Sequence, residues 1–144
     1  MNSIYKFLIS ALLIFLCIPL ISCSTSTEAL PADADEITEN ILTALNNNDY
    51  KSFSRDFDAT MKGALTEDMF NNELAPMLEE KAGEYIPDSL EVVKTAETGG
   101  SIVVIYQTEF TKAANGVAVQ ISFTETDGKT TVSGLYFNAA ELSG

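Results

Sequence analysis

Histidine is absent from the 144 residues, cysteine occurs twice and arginine once, at Arg55. Without histidine the chain lacks the commonest general base near neutral pH and the commonest transition-metal ligand. Cys17 and Cys23 both lie near the amino terminus, so the rest of the chain holds no disulfide, thiol nucleophile or cysteine metal site. Serine–histidine triads, cysteine–histidine pairs and ordinary zinc sites are excluded by inventory, and neither a metal nor a cofactor is expected. Bases are scarce too: 8 lysines and arginines face 21 acids, for a net charge of −13. So acidic a surface argues against nucleic acid as a partner and against electrostatic attachment to anionic lipid. The acids Asp33, Asp35, Glu36 and Glu39 lack the glycine-centred spacing of a calcium loop, and helix-start electrostatics accounts for them.

What is present at the amino terminus is an address. Lys6 precedes a largely apolar run, Phe7 to Ile21, whose only polar side chain is Ser10. A secretory signal has a basic start, an apolar core of about 7–15 residues and small residues at the cut. A spanning helix needs about 20 apolar residues, and Pro19 further weakens this run as one. Leu20-Ile21-Ser22-Cys23 resembles the bacterial lipobox. That resemblance implies cleavage before Cys23, a diacylglyceryl group on its thiol and acylation of the new amino terminus. Two or three acyl chains hold a protein stably where one does not. Cys17 is the competing site, but bulky Leu16 precedes it. Residues 1–22 are thus expected as a lipoprotein signal peptide, 23–32 as a lipidated tether and 33–144 as one domain on the extracytoplasmic face of the cell envelope.

The domain changes period halfway. Asp33 with Glu36 predicts a capping box opening a helix on which Ile37, Ile41 and Leu45 align, widened by Leu42. Asn46-Asn47-Asn48 ends it, and Asp49 caps a short second helix aligning Tyr50, Phe53 and Phe57. Thr66 starts a third that carries Phe70, Leu74, Met77 and Leu78, with a kink expected at Pro76 and Gly83 at its left-handed end. Period-two alternation then takes over, as in Ile102, Val104, Tyr106, Thr108 and Phe110. Gly99-Gly100, Asn115-Gly116 and Asp127-Gly128 punctuate it as hairpin turns. This predicts strands over about 88–98, 101–113, 117–126 and 129–138 in an antiparallel meander. The fold class is α+β, three amino-terminal helices packed on a curved four-stranded sheet.

Ala44-Leu45-Asn46-Asn47-Asn48-Asp49-Tyr50-Lys51-Ser52-Phe53, followed by Phe57-Asp58 and Met61-Lys62, resembles the opening of the nuclear transport factor 2-like (cystatin-like, SnoaL-type) superfamily. Gly134-Leu135-Tyr136-Phe137 is similar to the ending of a branch of envelope proteins of unknown function. The resemblance covers about residues 34–138 and implies a conical sheet closed by helices. Such a cone would be lined by Tyr50, Phe53, Phe57, Tyr106, Phe110 and Phe123, which are the candidate ligand residues. Simple core filling is the competing account of all six.

Those residues support a membrane-anchored, non-catalytic module that binds a small apolar ligand or an envelope protein. One rival is an isomerase- or cyclase-type enzyme with a buried carboxylate and Tyr106, as some members of the superfamily have. Asp56, Asp58 and Glu109 are its candidate acids, although strict alternation puts Glu109 on the opposite face from Tyr106. Arg55 with Asp56 and Asp58 faintly resembles an epoxide-opening set, but a solvated charged turn accounts for it more cheaply. The other rival is an assembly module that forms a homodimer, because the open sheet face of the superfamily often dimerises.

Overall fold

A turn closed by Ala34 N–H donating to Pro31 O at 3.0 Å leads into α1 (Ala34–Asn46). The structure, a computed structural model, describes residues 29–142. The signal, the lipobox and most of the tether lie outside the described residues. Among those described, no helix is long and apolar enough to cross a membrane. The expected capping box does not form. Asp33 has φ −104° and ψ 5°, outside the extended region a capping side chain needs, and makes no capping bond. The apolar stripe is as patterned: Ile37, Ile41, Leu42 and Leu45 are buried, and Thr38 is buried with its hydroxyl bonded to Ala34 O at 2.8 Å.

Asp49 does cap α2 (Tyr50–Phe53), accepting from Ser52 N at 3.1 Å and from the Ser52 hydroxyl at 2.6 Å. These bonds from Ser52 hold its carboxyl below the usual carboxylate value. The helix stops at Phe53, so Phe57 is not on it. Residues 56–58 instead extend along the sheet, where Val132 N donates to Asp56 O and Asp58 N to Val132 O. Asp58 then caps α3 (Ala59–Ala64), a helix the periodicity did not indicate, by accepting from Met61 N at 2.7 Å.

Thr66 caps the next helix, α4 (Glu67–Met69), which runs through a π-helical turn at Phe70–Leu74 into α5 (Ala75–Lys81). The expected kink at Pro76 takes this form. Proline has no N–H for the carbonyl four residues back and its ring crowds that carbonyl, and a wider turn before it relieves both. Gly83 closes the helix as patterned, with φ +82° and its N–H on Leu78 O at 2.9 Å.

Strands β1 (Glu91–Thr98), β2 (Ser101–Phe110), β3 (Ala113–Thr126) and β4 (Lys129–Asn138) form one antiparallel sheet in the order β1-β2-β3-β4. This is the expected meander, and the α+β class holds. Two of the three dipeptide turns are found, with positive φ at Gly99, Gly100, Asp127 and Gly128. Asn115-Gly116 is a correction: it lies inside β3, and the β2–β3 turn is Thr111-Lys112. The reason is tertiary. Thr111 N and Lys112 N donate to Glu84 O and Ala82 O, which fixes the turn against the chain leaving α5.

Val104, Tyr106, Val117, Val119, Ile121, Phe123 and Val132 are buried in one cluster with the α1 stripe, Phe53 and Phe70. Val103, Ile105 and Ala118, on the other face, remain half-buried, and Tyr136 is 62% exposed.

Candidate functional site

Two irregularities flank the same stretch of β2. On one side, Tyr85 bridges Phe110 and Ile86 N donates to Glu109 O at 2.9 Å, but regular pairing resumes only at Glu91 opposite Gln107. Between them the chain bows out through Asp88, at φ +61°, and Ser89 Oγ replaces a main-chain partner by accepting from Glu109 N at 3.0 Å. On the other side, Thr108 pairs with Val117 and Phe110 with Ala113, so β3 carries extra residues. Gly116 takes φ +71° there, and an added Cβ would stand 2.5 Å from Thr108 O. The Gln107 amide donates to Asn115 O and the Thr108 hydroxyl to Val117 O, which pins this second bulge.

Bulges re-aim side chains and gather near functional sites. Here the two form opposite walls of an open trough of about 460 Å3, with Gln107 to Phe110 between them. Its polar lining includes Ser89, Glu91, Gln107, Thr108, Glu109 and Asn115, and Ile86, Ala113 and Ala114 supply apolar surface. Glu91 and Glu109 give it negative charge without a basic side chain. A smaller pocket of about 60 Å3 lies between Leu45, Ala75, Leu78 and Phe110.

The wall at residues 85–89 is held from α1. Glu39 accepts the Tyr85 hydroxyl at 2.6 Å and Asp88 N–H at 3.2 Å, and Asn46 bonds both Tyr85 N and Tyr85 O. One turn earlier on the same helix, Asp35 accepts the Tyr106 hydroxyl at 2.9 Å. Positions 35 and 39 are one helical turn apart, so α1 presents two carboxylates in register with two buried phenols. Burial raises the Tyr85 phenol far above the usual tyrosine value, the hydrogen bond to Glu39 adds to this, and Ser89 partly offsets it. Burial does the same to Tyr106, opposed by a hydrogen bond with Thr38 and reinforced by Asp35. Both phenols therefore stay neutral and act as donors.

Of the six aromatic candidates, Tyr50, Phe53 and Phe57 gather with Phe70. Phe53 lies 5.1 Å from Phe57 and 4.6 Å from Phe70, and Tyr50 lies 5.7 Å from Phe70, between ring centres. Tyr106 meets Asp35 elsewhere, Phe110 packs 5.7 Å from Tyr85, and Phe123 is buried in the sheet. All but Tyr50 are buried, and of the six only Phe110 lines either pocket described above. The acid that reaches Tyr106 is Asp35, an exposed residue, rather than Asp56, Asp58 or Glu109. Among the described residues no group of three acids is placed to hold a metal ion.

Phe110 and Glu109 were among the candidates, but Ile86, Ser89, Glu91 and Gln107 escaped the sequence patterns and Asn115-Gly116 was read as a turn, because the trough sits at irregularities. Periodicity registers regular strands, and Asn-Gly reads as a turn. One signal was available: alternation continues unbroken from Val117 after a dipeptide that needs positive φ, which fits a bulge as well as a hairpin. The Tyr85–Glu39 pairing spans 46 positions and has no local signature.

The family described as protein of unknown function (DUF3887) matches residues 38–135, and the chain belongs to that family. No curated protein matches it.

Proposed function

We propose that this member of DUF3887 is a lipid-anchored domain of the cell envelope that binds a small ligand without transforming it, and that the trough beside β2 is its binding site. The domain is of the nuclear transport factor 2-like kind, a reading supported by helices followed by a four-stranded meander with one buried face. The anchor is Cys23, supported by the basic start, the apolar run and Leu20-Ile21-Ser22-Cys23.

The observation that carries the binding proposal is the trough itself. Two bulges, each fastened by side chains from another segment, leave about 460 Å3 open beside β2. Its mixed lining of amide, hydroxyl, carboxylate and short apolar groups suits a polar ligand with a modest apolar part. Inside, Phe53 packs on Phe57 and Phe70, and Tyr106 and Tyr85 already donate to carboxylates at their tips.

The test is native mass spectrometry of the processed protein extracted from its host membrane in mild detergent, beside an Ala114→Trp variant. Ala114 is exposed at the trough, so the indole fills it without entering the core. A non-covalent adduct in the parent protein that vanishes in Ala114→Trp is the expected result. An adduct retained by the variant, or none in either protein, removes the trough as the ligand site.

A further inference from the structure

The sheet has two edges, and they differ. The β4 edge is plugged by residues 56–58 through the bonds to Val132. The β1 edge has no neighbouring strand among the described residues, and it exposes two adjacent valines, Val92 at 44% and Val93 at 63%. An open edge with apolar side chains is a template for pairing with another chain. Natural edges are guarded against this by charges and bulges, and β1 has both: Lys94, and a register shift between Val92 and Lys94.

These guards match one partner. Glu91 pairs with Gln107 and Lys94 with Ile105, positions two apart on β2, so Glu91 and Lys94 stand on the same face although they are three apart. In an antiparallel pairing with a second copy of this edge, one register places Glu91 opposite Lys94 and Val92 opposite Val93, and each pair occurs twice. Val93, the extra residue of each strand, then meets Val92 of the other, so the two irregularities fall side by side about the two-fold axis. Shifting the copies by two residues either way loses both the charge and the valine matches.

We infer that the β1 edge is a self-recognition surface, and that two copies of this chain join their sheets through Glu91-Val92-Val93-Lys94 into one eight-stranded sheet. The operation is two-fold and closed, and the plugged β4 edge stops further addition, so a dimer results and not a fibre. Confinement to a membrane surface raises the effective concentration of one copy for another, so a short interface suffices there. This inference does not rest on ligand binding in the trough, although Glu91 lies at both surfaces.

The test uses charge reversal and register-specific cross-linking. Sedimentation of the detergent-extracted protein should show a dimer. Glu91→Lys or Lys94→Glu alone should weaken it at least about ten-fold, since each turns both cross-strand attractions into repulsions. The double variant E91K/K94E should restore it, and all these side chains are exposed, so the fold is spared. In membranes, a Val92→Cys chain mixed with a Val93→Cys chain should form a disulfide more readily than Val92→Cys alone, because opposite residues approach within bonding distance. A monomer under all conditions, a dimer indifferent to both single reversals, failure of the double variant to recover, or cross-linking without register preference would each overturn the inference.

Discussion

Replacing Gly83 by alanine should destabilise the domain by about 2–4 kcal/mol. Gly83 sits at φ +82°, where a residue with a Cβ loses about 1–2 kcal/mol to its own backbone. The new Cβ would also stand 2.2 Å from Thr111 Oγ1, 2.9 Å from Lys112 Cγ and 3.0 Å from Lys112 N. Thr111 Oγ1 can swing away only by giving up the bond it accepts from Glu84 N at 3.0 Å, worth about 0.5–1.5 kcal/mol. The main chain of the turn has little room to retreat, because Lys112 N is bonded to Ala82 O and Thr111 N to Glu84 O. Gly63→Ala is the internal control. That glycine lies within α3, has no heavy atom within 4 Å of an added Cβ, and should gain about 0.5–1 kcal/mol from helix propensity. Urea unfolding followed by circular dichroism gives both values from the midpoints at constant slope. Opposite signs are expected. A Gly83→Ala midpoint within about 0.5 kcal/mol of the parent protein would refute the reasoning that the left-handed end and the close turn act together.

Two further outcomes follow from the tyrosines and the anchor. The folded state raises the affinity of Tyr85 and Tyr106 for their protons, so their contribution is complete below the ordinary tyrosine value of 10.0 and is lost as pH rises beyond it. Alkaline titration of tyrosinate absorbance should show these phenols ionising only with unfolding, and Tyr85→Phe with Tyr106→Phe should flatten the loss of stability above pH 10. Ionisation of every tyrosine near the ordinary value while the fold persists would contradict this. Cys23→Ser should leave the chain either soluble or uncleaved in membrane fractionation, since its acidic surface gives it no electrostatic hold on anionic lipid. Normal processing with continued membrane attachment would overturn the anchor proposal.

Much of the fold was legible because burial on one face imposes a period. The α1 stripe, the four strands and the left-handed end at Gly83 each follow from side-chain spacing or from a backbone angle only glycine takes easily. What was misjudged depended on contacts distant in sequence. Phe57 fits a helical period with Tyr50 and Phe53, yet the bonds of Asp56 and Asp58 to Val132 draw that segment into the sheet edge. Asn115-Gly116 has the composition of a turn, yet residues 82–84 fix the turn four positions earlier.

The same distinction separates the two surfaces proposed here. The trough has at most the ambiguous signal of Asn115-Gly116, because its walls are fastened by Glu39 and Gln107 from other segments, and only the folded chain brings them to one stretch of β2. The β1 edge is the reverse case. Glu-Val-Val-Lys is plainly visible as a sequence, but its self-complementarity depends on the register shift after Val92, which puts residues three apart on one face. Under strict alternation Glu91 and Lys94 would face opposite sides, and the match would vanish. A single extra residue in an edge strand thus decides whether four consecutive side chains are a guard against pairing or a specification of one partner.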